Sequence, residues 1–210
     1  SNPHLLSDAV RGTNNNLASD STAAEAISYA QGWVSAFGAD GYTAQAGGSG
    51  DNDINGNTNT YVAWNWKAGT TTGITTDGNT TITPSGYSFN ATSGFSCIAY
   101  TGNGTGGAKY PHGLGVTPAM VITKQLDSTN SWYVFQQKMS STPSNTEMYL
   151  NTTDAAPAST GNGITPDTVN IDLEGTSAST NGNTNTYIAY IFAEISGYSK
   201  FGKWIGNGNA

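Results

Sequence analysis

Ten residues written twice constrain this chain more than anything else in it. Asn55-Gly56-Asn57-Thr58-Asn59-Thr60-Tyr61-Val62-Ala63-Trp64 returns 126 residues later as Asn181-Gly182-Asn183-Thr184-Asn185-Thr186-Tyr187-Ile188-Ala189-Tyr190, with eight of ten positions identical. The two exchanges, Val for Ile and Trp for Tyr, keep the class of side chain. A shared bias towards Asn, Thr and Gly could produce the first half of the match. It would not also deliver a Tyr-(Val/Ile)-Ala-aromatic run behind it. The chain reads as a repeat protein.

That run reads as a strand. Alternate residues of a strand point to opposite faces, so Val62, Trp64 and Trp66 share one side, as do Ile188, Tyr190 and Phe192. Both sets are β-branched, aromatic, aromatic, the pattern of a strand packed on a sandwich core. The other face carries Tyr61, Ala63 and Asn65 against Tyr187, Ala189 and Ile191. The Asn-Gly-Asn lead-in is a tight turn, since Gly and Asn adopt positive φ most readily. The expected fold is all-β, with tandem antiparallel β-sandwich (jelly-roll-like) repeat units.

Composition agrees with this and narrows the partners. Charged residues make up 10% of the 210 and the net charge is −7. An anionic surface repels polyanions and anionic lipid, which argues against nucleic-acid binding and membrane docking. No apolar run reaches membrane-spanning length, and no signal peptide is visible. The lone cysteine, Cys97, sits in the apolar run Phe95–Tyr100 and is expected to be a buried thiol.

Taken in order, the chain opens with a polar stretch anchored by Leu5, Leu6 and Val10. Residues 21–37 carry a helical pattern. Thr22-Ala23-Ala24-Glu25 fits a capping box, and Ile27, Trp33, Val34 and Phe37 fall towards one side. Gly32 argues against a helix there and leaves a loop with a short strand as the alternative. A short strand is expected within 41–50 and a core strand over 60–67. The segment 70–94, rich in Thr and Gly, reads as a linker or edge hairpin. Strands follow at 95–101, 118–124, 131–135, 148–150 and 169–173, then the second copy of the motif. The tail Trp204-Ile205-Gly206-Asn207-Gly208 echoes Tyr100-Thr101-Gly102-Asn103-Gly104. The organisation expected is the C-terminal part of a first unit over 1–69, the linker or hairpin, a complete sandwich over 95–195, and over 196–210 the start of a third unit or a tail. Such a chain is expected to be a piece of a larger protein.

Candidate chemistry is sparse. The histidines are His4 and His112, and the carboxylates sit mostly in turns. Neither a nucleophile with its base nor an opposed carboxylate pair can be nominated, so no catalytic residue is expected. Asp51-Asn52-Asp53-Ile54-Asn55-Gly56 matches the first half of a calcium loop, making Asp51, Asp53 and Asn55 candidate calcium ligands. The twelfth position, where a bidentate Glu belongs, is Val62. In the second copy Ser177 and Ser179 replace the two aspartates, so the turn itself does not require a metal. The run 102–107 lacks the following helix of a phosphate loop and reads as a glycine-rich turn. Trp132 and Tyr133, with Trp33 and Trp204, are candidate platforms for a sugar ring, with core or a subunit interface the commoner place for any one aromatic; Trp64 and Trp66 are assigned to the core.

Four stretches together resemble a known family: Tyr61–Gly69, Ile98–Thr105, His112–Lys124 and Tyr187–Gly202. They resemble the repeated β-domains of tail-fibre and other virion structural proteins of tailed bacteriophages, especially marine ones, and Asp8-Ala9-Val10-Arg11-Gly12 extends the likeness. The resemblance implies a non-enzymatic virion protein on the particle surface, part of a tail fibre or similar appendage serving assembly and host attachment. It implies other virion proteins and copies of the chain itself as partners, in a homo-oligomer. Family units carry a strand pair ahead of the Val-Arg-Gly segment, so a neighbouring chain or a further segment of the same protein is expected to complete the first unit. The alternatives are a glycan-binding, lectin-like module recognising a host surface glycan, and a capsid-surface decoration protein.

Overall fold

The computed structural model describes residues 3–48, 54–139, 147–154 and 161–208. Among the described residues there is no helix. The strands are β1 (Leu5–Leu6), β2 (Asn15–Ala18), β3 (Ala26–Ile27), β4 (Gly32–Phe37), β5 (Tyr42–Ala46), β6 (Gly86–Asn90) and β7 (Phe95–Thr101). They continue with β8 (Ala108–Pro111), β9 (Met120–Gln125), β10 (Tyr133–Gln136), β11 (Met148–Tyr149), β12 (Ile164–Pro166), β13 (Asn170–Leu173) and β14 (Thr186–Phe192). The fold is an all-β, antiparallel sandwich.

The strand of the second motif copy lies at its centre. A six-stranded sheet runs β11-β10-β9-β14-β7-β6, and every neighbouring pair is antiparallel. A three-stranded sheet, β12-β13-β8, covers one face. Between the two, Ile98, Tyr100, Val121, Tyr133, Tyr187, Ala189 and Ile191 meet Tyr110, Ile164, Ile171 and Leu173. A second small sheet, β1-β2-β3, covers the opposite face. There Leu17, Leu6 and Val10 pack against Phe95, Cys97, Trp132, Ile188 and Tyr190. A hairpin of β4 and β5, irregular between Val34 and Ala36, completes the N-terminal part.

The alternation in β14 therefore has a stronger meaning than one apolar face. Tyr187, Ala189 and Ile191 serve one core, while Ile188, Tyr190 and Phe192 serve the other. A strand covered on both sides needs apolar residues at consecutive positions, and residues 187–192 supply them. The edge strand β6, by contrast, is half-buried throughout.

Two expectations are corrected. The helical pattern over 21–37 forms β3, β4 and connecting turns. Gly32 adopts φ +118° there, a left-handed backbone that interrupts a helix. Glu25, which the capping box would turn back on Thr22, reaches Arg11 Nη1 at 2.8 Å instead, and Thr22 O accepts from Asn130 N at 2.9 Å. The other correction is the strand over 60–67. Residues 60–67 lie outside every sheet, and Val62, Trp64 and Trp66 are 83%, 78% and 53% exposed rather than buried. A strand with apolar residues on both faces becomes core only where other strands and layers flank it. β7 and β9 flank the second copy alone.

Candidate functional site

The residues nominated for ligands divide three ways. Trp132 and Tyr133 are 0% and 1% exposed, so neither offers a ring face to a sugar. The Trp132 indole N–H donates to Ala18 O at 2.9 Å and Ser21 O at 3.1 Å, which pins the N-terminal layer to the large sheet. Tyr133 packs edge-on against Tyr149 in the sandwich core. Burial of the neighbouring apolar surface outweighed any role at the rim, a choice that residue type alone does not reveal. Asp51 and Asp53 lie outside the described residues. Asn55 is exposed and its amide donates to Ala44 O at 3.3 Å. Among the described residues no group of three or more His, Cys, Asp and Glu could hold a metal.

The buried polar groups are committed to structure. His112 is fully buried; Leu114 N donates to its Nδ1 at 3.2 Å, so Nε2 carries the proton and donates to Asp167 O at 3.2 Å. Burial pushes its pKa down to about 4, against the pull of Asp167. A ring neutral at pH 7 with both nitrogens engaged has no capacity for proton transfer. Cys97 is buried, and burial raises its thiol well above the usual range, leaving no thiolate for nucleophilic chemistry. Lys124 is fully buried; burial pushes its pKa down to about 8, and its Nζ donates to Gln125 O at 2.7 Å.

One ion network escaped the sequence reading. The Arg11 side chain is 2% exposed and donates from Nε to Asp8 at 2.5 Å, from Nη1 to Glu25 at 2.8 Å and from Nη2 to Leu6 O at 3.0 Å and the Tyr190 hydroxyl at 3.2 Å. Tyr190 Oη in turn donates to Asp8 Oδ2 at 2.8 Å. Burial alone opposes the guanidinium charge, but Tyr190, Asp8 and Glu25 outweigh it and hold the group protonated. The signal was present as opposite charges three residues apart in a chain with only 7 cations. Beside this network an open groove of about 370 Å³ runs past Arg11, Glu25, Leu126, Asp127 and Tyr187. Its charges are already satisfied. Asp127 accepts from Gln125 Nε2 at 2.8 Å and from Thr186 N at 2.9 Å.

What remains open to a partner is aromatic. Trp66 packs on Phe95 and Phe192 at centroid distances of 6.1 and 5.8 Å, and Phe201 lies 6.3 Å from Phe192. Beyond this cluster stand Trp64, Tyr198 at 72% exposure and Trp204 at 90%. Large rings in this state can bury area against another surface or stack on a ligand. Trp204 had been nominated from the sequence; Trp64 had not, because its motif predicted a core position.

Compared with known proteins, the chain matches the model of the family described as Domain of unknown function (DUF7483) over residues 1–210. No curated protein and no solved structure matches it.

Proposed function

The chain therefore belongs to DUF7483, a family of unknown function, and on that premise we propose that it is a non-enzymatic structural protein of a tailed-phage virion. In this reading it forms part of a tail fibre or similar appendage and works by assembly and attachment. The supporting observation is where the residues of the recognisable motifs go. In 187–192, Tyr187 donates to Ala178 O at 2.8 Å and accepts from Gly182 N at 2.8 Å, Tyr190 closes the Arg11 network, and the rest fill two cores. In 98–105, Tyr100 stacks between Tyr110 and Tyr187 at 4.3 and 5.0 Å. In 112–124, His112 ties two loops and Val121 fills the core. These three signatures specify scaffold, as a protein selected for rigidity and copy number would carry, while Val62 and Trp64 of the fourth, 61–69, stand exposed.

A glycan-binding module is the second reading, favoured by the exposed indoles of Trp64 and Trp204. Two measurements separate them. An antibody against the chain, used on particles and cells of the organism that encodes it, is expected to label particle appendages; label confined to cells would overturn the virion assignment. The purified chain on a glycan array is expected to be silent. Sugar binding lost on Trp64→Ala or Trp204→Ala would move the function to recognition.

A further inference from the structure

The second motif copy shows what its turn and strand are built to receive. Phe95–Thr101 lies antiparallel to it, with Thr101 opposite Thr186, Tyr100 opposite Tyr187 and Phe95 opposite Phe192. The segment beyond locks onto the turn. Gly102 N donates to Asn185 O at 2.9 Å, Thr184 N donates to Gly102 O at 2.9 Å, and Asn103 N donates to Asn181 Oδ1 at 3.0 Å. A Cβ on Gly102 would stand 2.4 Å from Gly182 O, so glycine is required at the contact. The received sequence is aromatic, any residue, Gly, Asn, Gly.

That sequence occurs again as Trp204-Ile205-Gly206-Asn207-Gly208. Trp204 and Ile205 are 90% and 89% exposed, and residues 204–208 lie outside every sheet. The first motif copy meanwhile has its receiving turn already formed. Gly56 N donates to Tyr61 Oη at 2.7 Å, as Gly182 N does to Tyr187 Oη at 2.8 Å. Asn59 N donates to Gly56 O at 3.3 Å, as Asn185 N does to Gly182 O at 3.2 Å, and Thr58 and Thr184 share φ of +68° and +65°. The turn is preformed, and Val62 and Trp64 behind it stand exposed outside every sheet.

We propose that residues 203–208 of one copy of this chain dock on residues 55–62 of a second copy, adding a strand in the register of the internal pair. Ile205 then lies opposite Thr60 and Trp204 opposite Tyr61, its ring over that tyrosine as Tyr100 lies over Tyr187. Main-chain bonds supply affinity in strand addition, and side-chain fit supplies specificity. Within one chain the two segments do not pair: Gly202 O accepts from Gln136 Nε2 on β10, whereas Lys67 O accepts from Asn90 Nδ2 on β6, and both segments lie outside every sheet. Each copy carries one donor and one acceptor, so the contact is head-to-tail and repeats into a ring or filament. It would join copies of the structural protein proposed above, but rests on the repeat and not on the virion assignment.

Sedimentation velocity of the purified chain over a concentration series tests this. The 21.7 kDa monomer is expected to give way to a ladder of multiples as concentration rises. A donor variant, Trp204→Asp with Ile205→Pro, and an acceptor variant, Thr60→Pro with Val62→Pro, alter exposed positions and are each expected to stay monomeric with an unchanged circular dichroism spectrum. Mixed one to one they retain one competent pair, and a dimer with no higher species is expected. A wild-type chain that stays monomeric overturns the proposal, as do variants that oligomerise like wild type or a mixture that forms no dimer. None of these outcomes bears on where the antibody labels.

Discussion

Arg11 is one of 7 cations in the chain and the only one with two carboxylate partners among the described residues. Removing it leaves Asp8 and Glu25 facing the core without a counter-charge, and breaking a buried pair in this way costs about 3–5 kcal/mol. Arg11→Ala is expected to lower stability by that amount in urea unfolding. Lys124 is the opposite case. Its ammonium is buried against one carbonyl, and a pKa pushed down to about 8 means the charged form is disfavoured in the fold. Lys124→Met keeps the apolar stem and removes the buried charge, so it is expected to stabilise the protein by roughly 1–3 kcal/mol at pH 7. His112 has a pKa of about 4 in the fold against about 6.5 when unfolded. The unfolded chain binds the proton first, so this contribution is complete above pH 6.5 and lost as pH falls to 4. Its size is about 3 kcal/mol. Denaturant midpoints measured across that window are expected to fall more steeply for wild type than for His112→Asn. Of these three environments only Arg11's left a trace in the sequence, as Asp8 three residues away; the burial of Lys124 and His112 left none. A residue's type states its charge, and only its neighbours decide the dielectric around it.

At the scale of elements the sequence reading went much further. The expected strands at 95–101, 118–124, 131–135, 148–150 and 169–173 correspond to β7, β9, β10, β11 and β13, within about two residues at their ends. Short apolar and β-branched runs bounded by turn residues were sufficient for these, because strands buried on both faces read as near-continuous apolar segments. It failed at 21–37, where a glycine with positive φ and a long-range ion pair overrode a helical pattern. The repeated motif separates local from tertiary control most cleanly, since one sequence forms the same turn in both places but a paired strand in only one. The same deletion should therefore weigh differently in the two copies. Tyr187 is fully buried, and its hydroxyl both accepts and donates. Tyr187→Phe is expected to cost about 1–3 kcal/mol by leaving the turn's N–H and the Ala178 carbonyl unsatisfied. Tyr61 is 47% exposed, so water replaces its hydroxyl, and Tyr61→Phe is expected to shift the unfolding midpoint by much less.

Across the whole molecule, stability should be graded outward from β14. That strand pairs on both edges and is covered on both faces, while residues 60–66 lie outside every sheet. Native-state hydrogen exchange on dilute protein is expected to find the amides of β7, β9 and β14 slowest and those of 60–66 among the fastest. Equal protection in the two motif copies of the monomer would contradict this arrangement.

By itself the sequence determined the antiparallel all-β class, the position of half of the fourteen strands and the existence of two equivalent turns, because each depends on residues near one another in the chain. The tertiary structure decided which copy becomes the central strand, which aromatics are core and which stand open, and which charges are buried together. Those outcomes depend on surfaces brought together from distant parts of the chain. Trp132 and Trp64 show the consequence: one nominated for a ligand is core, and one assigned to the core is exposed.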